Sequence, residues 1–201
     1  MPFFAPSVTT EADALFSFLE QQCGQLRLTA LDLTEEQARS TPTVSALSIM
    51  GLLAHSAQVV YSWLQQVRRP DFVPTEADYA AFNAELGLSG SFDGGTLPDQ
   101  TLAEVLAAFD RAVTEIAAAR RDVADSGIDL DTRVTVANPW MPPDFDMSLR
   151  WILNHLTTEI ARHAGHADII RESLDGAISY QLNAQAEGQP WPPEGWGGDE
   201  S

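Results

Sequence analysis

The 201 residues fit one medium domain with a sizeable core. Acidic side chains number 29 against 11 basic ones, a formal charge of -18. That charge repels phosphate backbones and anionic membrane surfaces and argues against nucleic acid as a partner. Its simplest use is a solvated acidic shell around an apolar interior.

The lone cysteine, Cys23, has no partner for a disulfide within the chain, which fits a reducing compartment, the cytoplasm. Met1 to Thr10 lacks the basic start and long apolar run of a secretory signal. The most apolar stretch, Ser48 to Leu64, is interrupted by His55, Ser56, Gln58 and Ser62, so no membrane span is expected.

Four segments carry helical periodicity. Ala12, Leu15, Phe16, Leu19, Cys23 and Leu26 recur at three- and four-residue steps and share one face of a first helix. Thr34-Glu35-Glu36-Gln37 is a capping-box pattern that predicts a short extra turn before Pro42. A second helix runs from about Ser48 to Val67, striped by Ile49, Leu53, Val60, Leu64 and Val67. The connection that follows, Arg68 to Pro98, is long and rich in Gly and Pro, with room for a short helix over Thr75 to Leu86. Leu102, Val105, Leu106, Phe109, Val113 and Ile116 mark a third helix between Asp99 and Val123. The next connection, Ser126 to Met147, holds Asn138-Pro139, Pro142-Pro143 and an extended piece at Arg133 to Val136. The fourth helix is the most regular, with Leu149, Ile152, Leu153, Leu156, Ile160, Ala167, Ile170 and Leu174 in register. After Gly176 the periodicity fades. Residues 1–180 read as the bundle and 181–201 as an extended tail, whose Trp191 and Trp196 are expected to pack back on the bundle rather than to mark a partner surface. With no repeat and little strand signal, the fold class is all-α.

Of the four histidines, His55, His155, His163 and His166, three lie in the last helix. At about 100° per residue, His163 falls inside the apolar stripe between Ile152 and Leu156, and Glu159 only about 20° outside its edge. An inward carboxylate is costly unless it meets a cation, and no arginine occupies the matching part of another helix. Glu159 and His163 are one turn apart, so their donor atoms can converge on a single ion. His155 and His163 are separated by about 12 Å of rise, too far to grip one metal easily. His155 and His166 turn further from the stripe and read as flanking groups that support the site or move protons. A third ligand has to come from another helix, and His55, flanked by apolar Leu52 and Val59, is the remaining histidine. A ferritin-like di-metal centre, a His-Glu-x-x-His protease motif, a P-loop and a dinucleotide glycine pattern are all absent.

At these residues the chain resembles the DinB-like superfamily of metal-binding four-helix bundles. The marks are Leu33-Thr34-Glu35-Glu36-Gln37, Ser48 through His55, Ser148-Leu149-Arg150-Trp151, and above all Glu159 through Asp168 followed by Arg171-Glu172. Many members carry a His-x-x-x-His pair in this last helix, where this chain has Glu159. A carboxylate there resembles the actinobacterial branch that includes mycothiol-dependent maleylpyruvate isomerase, with a site of two His and one Glu. The resemblance implies His55, Glu159 and His163 as metal ligands, an up-down-down-up bundle with long second and third connections, and pairing as a homodimer.

Two neutral imidazoles and one carboxylate leave a Zn²⁺ site with a net charge near +1 and an open position for water or a thiolate. Zinc is favoured by mixed N/O ligands, with Ni²⁺, Fe²⁺ or Mn²⁺ as alternatives. A thiol at such a site stays deprotonated and nucleophilic. The leading expectation is therefore a metal-dependent S-transferase or isomerase that joins a low-molecular-weight thiol, mycothiol or another, to a small-molecule electrophile. A metal-dependent hydrolase is the alternative enzyme, and a non-enzymatic metal- or ligand-binding bundle the alternative outside catalysis.

Overall fold

Hydroxyl side chains decide where the helices begin. Thr10, Thr34, Ser48, Thr75, Thr101 and Ser148 each take an extended backbone and accept a hydrogen bond from an amide in the first helical turn. In the computed structural model, which describes residues 3–89, 93–135, 142 and 145–193, they start α1 (Glu11–Leu28), α2 (Glu35–Arg39), α3 (Ile49–Arg68), α4 (Glu76–Leu86), α5 (Leu102–Ser126) and α6 (Leu149–Asp175). A last helix, α7 (Ser179–Ala186), has no side-chain cap.

The four long helices α1, α3, α5 and α6 form the expected bundle, and side-chain pairs fix their directions. Arg27 of α1 meets Asp110 early in α5, while Arg120 late in α5 reaches Ser17 and Asp13 early in α1, so these two are antiparallel. Arg150 at the start of α6 pairs with Glu11, and Arg171 near its end donates to the carbonyls of Thr29 and Leu31, so α6 runs parallel to α1. Arg68 ends α3 against Glu115 and Asp122 in the last half of α5. Trp63 late in α3 meets Trp151 early in α6, whereas His55 early in α3 meets His163 at the middle of α6. The order is up, down, down, up.

The core lies between these helices. Phe16, Leu19 and Leu26 of α1, Leu52, Leu53 and Leu64 of α3, Phe109 and Ile116 of α5, and Ile152, Leu153 and Leu156 of α6 are all but inaccessible to solvent. Burying each such side chain stabilises the fold by about 1.5–3 kcal/mol before chain entropy is set against it.

The connections depart from expectation in instructive ways. α5 begins at Leu102 and not at Asp99, because Thr101 and Glu104 form a capping box after Pro98. The extended piece at Arg133 is confirmed for Arg133–Val134 (β1), which pairs antiparallel with Met147–Ser148 (β2). Val136, Asn138-Pro139 and Pro143 lie outside the described residues. Residues 181–186, read from sequence as the start of an extended tail, belong to α7. Leu182 and Asn183 are buried there, and the Asn183 and Gln25 amides bond each other. Its short length hides a periodicity that contact with α1 supplies. Trp191 does pack back, with its ring parallel to that of Tyr180 at 6.4 Å. Trp196 lies outside the described residues.

Candidate metal centre

His55 sits on the second turn of α3, and Glu159 and His163 on successive turns of α6, where the two antiparallel helices cross. The fold thus brings His55 to a pair of residues more than a hundred positions further along the chain. His163 Nε2 is 3.1 Å and His55 Nε2 3.6 Å from the same Glu159 oxygen, Oε1. The two imidazoles meet edge to face, with ring centres 4.8 Å apart. One donor atom from each of the three lies within 4.8 Å of the others.

Donors around a tetrahedral ion with bonds of about 2 Å stand about 3.3 Å apart. The two carboxylate–imidazole edges fall on either side of that figure and the remaining donor pair lies within 4.8 Å, so a small inward turn of the imidazoles lets the three donors share a single divalent ion. Electrostatics point the same way. Both imidazoles are largely covered, at 13% side-chain exposure, and Glu159 retains 29%. The chain contains no lysine, and Glu159 pairs with no arginine among the described residues. His163 foremost, then His55, holds the Glu159 carboxyl well below the usual carboxylate range, against the opposing effect of burial. The carboxylate is therefore ionised at any ordinary pH and available to a cation.

The two other histidines flank this centre without joining it. His155 stacks on Trp151 at 4.9 Å and meets the edge of Trp63 at 5.6 Å. Burial lowers its pKa, with the charge of Glu159 working in the opposite direction. It forms an aromatic wall one turn before Glu159. His166 is tilted against His163, with ring centres 5.9 Å apart. The Nδ1 atoms of His163 and His166 are both buried and have no hydrogen-bond partner among the described residues.

The long second connection contributes a side of the site that periodicity did not reveal. Ser89, Asp93, Thr96 and Pro98 close over His55 and Gln58, leaving a crevice of about 10 Å³, room for one water. Gly51 makes this closure possible, since a Cβ there would stand 2.6 Å from the Gly94 carbonyl oxygen. Gln58, 3% exposed, lines this crevice and has a side-chain oxygen with no partner among the described residues. Gln58, a buried amide one turn after His55 on the same side of α3, is the signal that would have marked it.

Among the described residues no helix is long and apolar enough to cross a membrane. Comparison with known proteins adds three findings. The family model described as mycothiol-S-transferase matches residues 14–176. A solved structure, that of a conserved protein from Enterococcus faecalis, aligns over 85% of this chain and 100% of its own length. Its TM-score is 0.62 at 11% identity, a likeness that concerns the fold alone. No curated protein matches.

Proposed function

Since the chain belongs to the mycothiol-S-transferase family, within the DinB-like superfamily, we propose that it is a metal-dependent enzyme joining a low-molecular-weight thiol to a small electrophile. Mycothiol is the first thiol to test. The observation that carries this reading is the convergence of two imidazole nitrogens and one carboxylate oxygen within 4.8 Å. His55, Glu159 and His163 would hold the ion, with zinc favoured by the N/O donor set and nickel, iron or manganese as alternatives. When bound, such an ion supplies Lewis acidity that keeps a thiol sulfur deprotonated near neutral pH.

The remaining steps fall to the chain. Glu159 offsets one of the ion's two charges, so the site keeps an attraction for one further anion. His155, packed between Trp151 and Trp63, stays neutral and gives the substrate an apolar side wall. His166, beside His163, is placed to accept the proton that the thiol gives up. The sulfur then forms its bond to the electrophilic carbon as the leaving group departs with the bonding electrons. Cys23 takes no part, because it is fully buried and burial pushes its thiol pKa up. A buried lone cysteine and thiol chemistry both suit the cytoplasm, and the superfamily resemblance supports a homodimer.

The test is consumption of mycothiol in the presence of an alkylating electrophile, followed with metal-loaded protein, chelated protein and the His163→Ala variant. Metal-dependent formation of the thioether, lost in the variant, is expected. Full turnover by chelated protein overturns the reading. Metal-dependent ester or amide hydrolysis without thiol consumption would replace it with the hydrolase.

A further inference from the structure

Helix α6 uses two opposite faces. Glu159 and His163 look toward α3, whereas Ala161, Ala164, Gly165 and Asp168 lie roughly half a turn round at about 100° per residue. This second face borders an open groove of about 420 Å³, flanked by α1, by Phe3 to Ala5 and by Ser179. Such a volume is typical of small-molecule sites.

Three features of the lining are unexplained by the fold. Gly165 stands in mid-helix, where glycine weakens the helix relative to any ordinary residue. No atom comes within 4 Å of the place its Cβ would occupy, so packing does not demand the missing side chain. Its effect is an open pocket floor. Asp168 is half-buried and its carboxylate makes no hydrogen bond or ion pair among the described residues; burial, with some help from Glu172, lifts its carboxyl to about 6. Gln22 uses its amide N–H on Gln21, whose own N–H holds the Phe3 carbonyl, which leaves Gln22 Oε1 as a second acceptor. Around these acceptors stand Phe3, Phe4 and Phe18, of which Phe4 is 77% and Phe18 52% exposed.

Acceptors that no protein donor serves among the described residues, set beside aromatic rings in a chain without lysine, define the complementary ligand. We propose that this pocket is a second ligand site, separate from the metal centre, that takes a primary ammonium carried on an apolar or aromatic body. The ammonium has three N–H donors and no acceptor, which Asp168 and Gln22 match. The body lies against the phenylalanine rings, where a cation also gains from the ring faces.

Phenethylammonium and phenethyl alcohol, which share a body and differ in charge, are the probes, titrated calorimetrically into the full chain. Saturable binding of the amine, about tenfold or more tighter than the alcohol, is expected. Asp168→Asn, nearly isosteric, should abolish that preference, and Gly165→Leu should block both ligands by filling the floor of a still folded protein. His163→Ala should leave amine binding unchanged, because the metal centre lies on the other face. Equal affinity for amine and alcohol, no saturable binding, an unaltered amine preference in Asp168→Asn, or loss of binding in His163→Ala would each overturn the proposal.

Discussion

Replacing Glu159 with glutamine separates charge from shape at the metal centre. The amide keeps the size of the carboxylate and can still accept a hydrogen bond from His163, which stands 3.1 Å away in the native chain. In metal-free protein the exchange should change stability by less than about 1 kcal/mol, because a partly exposed pair is screened by solvent. Metal-loaded protein should behave differently. An ion present at a hundred times its dissociation constant stabilises the native state by about 2.7 kcal/mol, or about 5–11 °C for a domain of this size. A neutral amide ligand that weakens binding about a hundredfold leaves only about 0.4 kcal/mol of that gain, about 1 °C. Thermal scans of native and Glu159→Gln protein, each with zinc and with chelator, read all four states. Retention of the full zinc-induced shift by the variant would refute the assignment of Glu159 as a ligand. An equal loss of stability with and without zinc would show the carboxylate to be structural.

Elsewhere the structure makes predictions about packing, buried charge and the loop beside His55. Leu153→Ala, on the fully buried face of α6, should cost about 2–5 kcal/mol in urea unfolding. Arg171 is 5% exposed and bonds the Thr29 and Leu31 carbonyls as well as Asp175; Arg171→Ala should destabilise by about 2–4 kcal/mol while leaving metal content at one ion per chain. Asp168 has a folded pKa raised from 3.8 to about 6. Its contribution is therefore favourable below the unfolded value and is lost as pH rises through the folded one. Asp168→Asn should be more stable than the native chain above pH 6 by about 1–2 kcal/mol, after discounting for solvent screening, and the gap should close toward pH 4. Gly51→Ala should move the 93–96 loop, because its Cβ meets the Gly94 carbonyl, and should weaken metal binding at the neighbouring His55 in equilibrium dialysis.

Much of this molecule is written in local pattern. The stripes of α1, α3, α5 and α6 were readable because each helix buries one face for four or more turns. The Glu159–His163 pair was readable for the same reason, since an inward carboxylate one turn from an imidazole is a cost that needs a cation. His55 followed by elimination, by its apolar face neighbours Leu52 and Val59, and by resemblance. What escaped the sequence depends on tertiary contact. α7 holds through Leu182 and the Asn183–Gln25 amide pair, which no eight-residue pattern announces. β2 is two residues long and exists only through its pairing with Arg133–Val134. The 93–96 loop reaches His55 because Gly51 lacks a side chain, a fact that becomes meaningful only when the two backbones are seen together. The pocket around Asp168 is likewise assembled from the N-terminal residues, α1 and α6.

X-ray absorption at the zinc edge, recorded on loaded protein before and after addition of mycothiol, tests the account as a whole. Two imidazole nitrogens with oxygen ligands at about 2.0–2.2 Å should be joined, on adding the thiol, by one sulfur at about 2.3 Å. A first coordination sphere without two imidazoles, or one that gains no sulfur at saturating thiol, would contradict it.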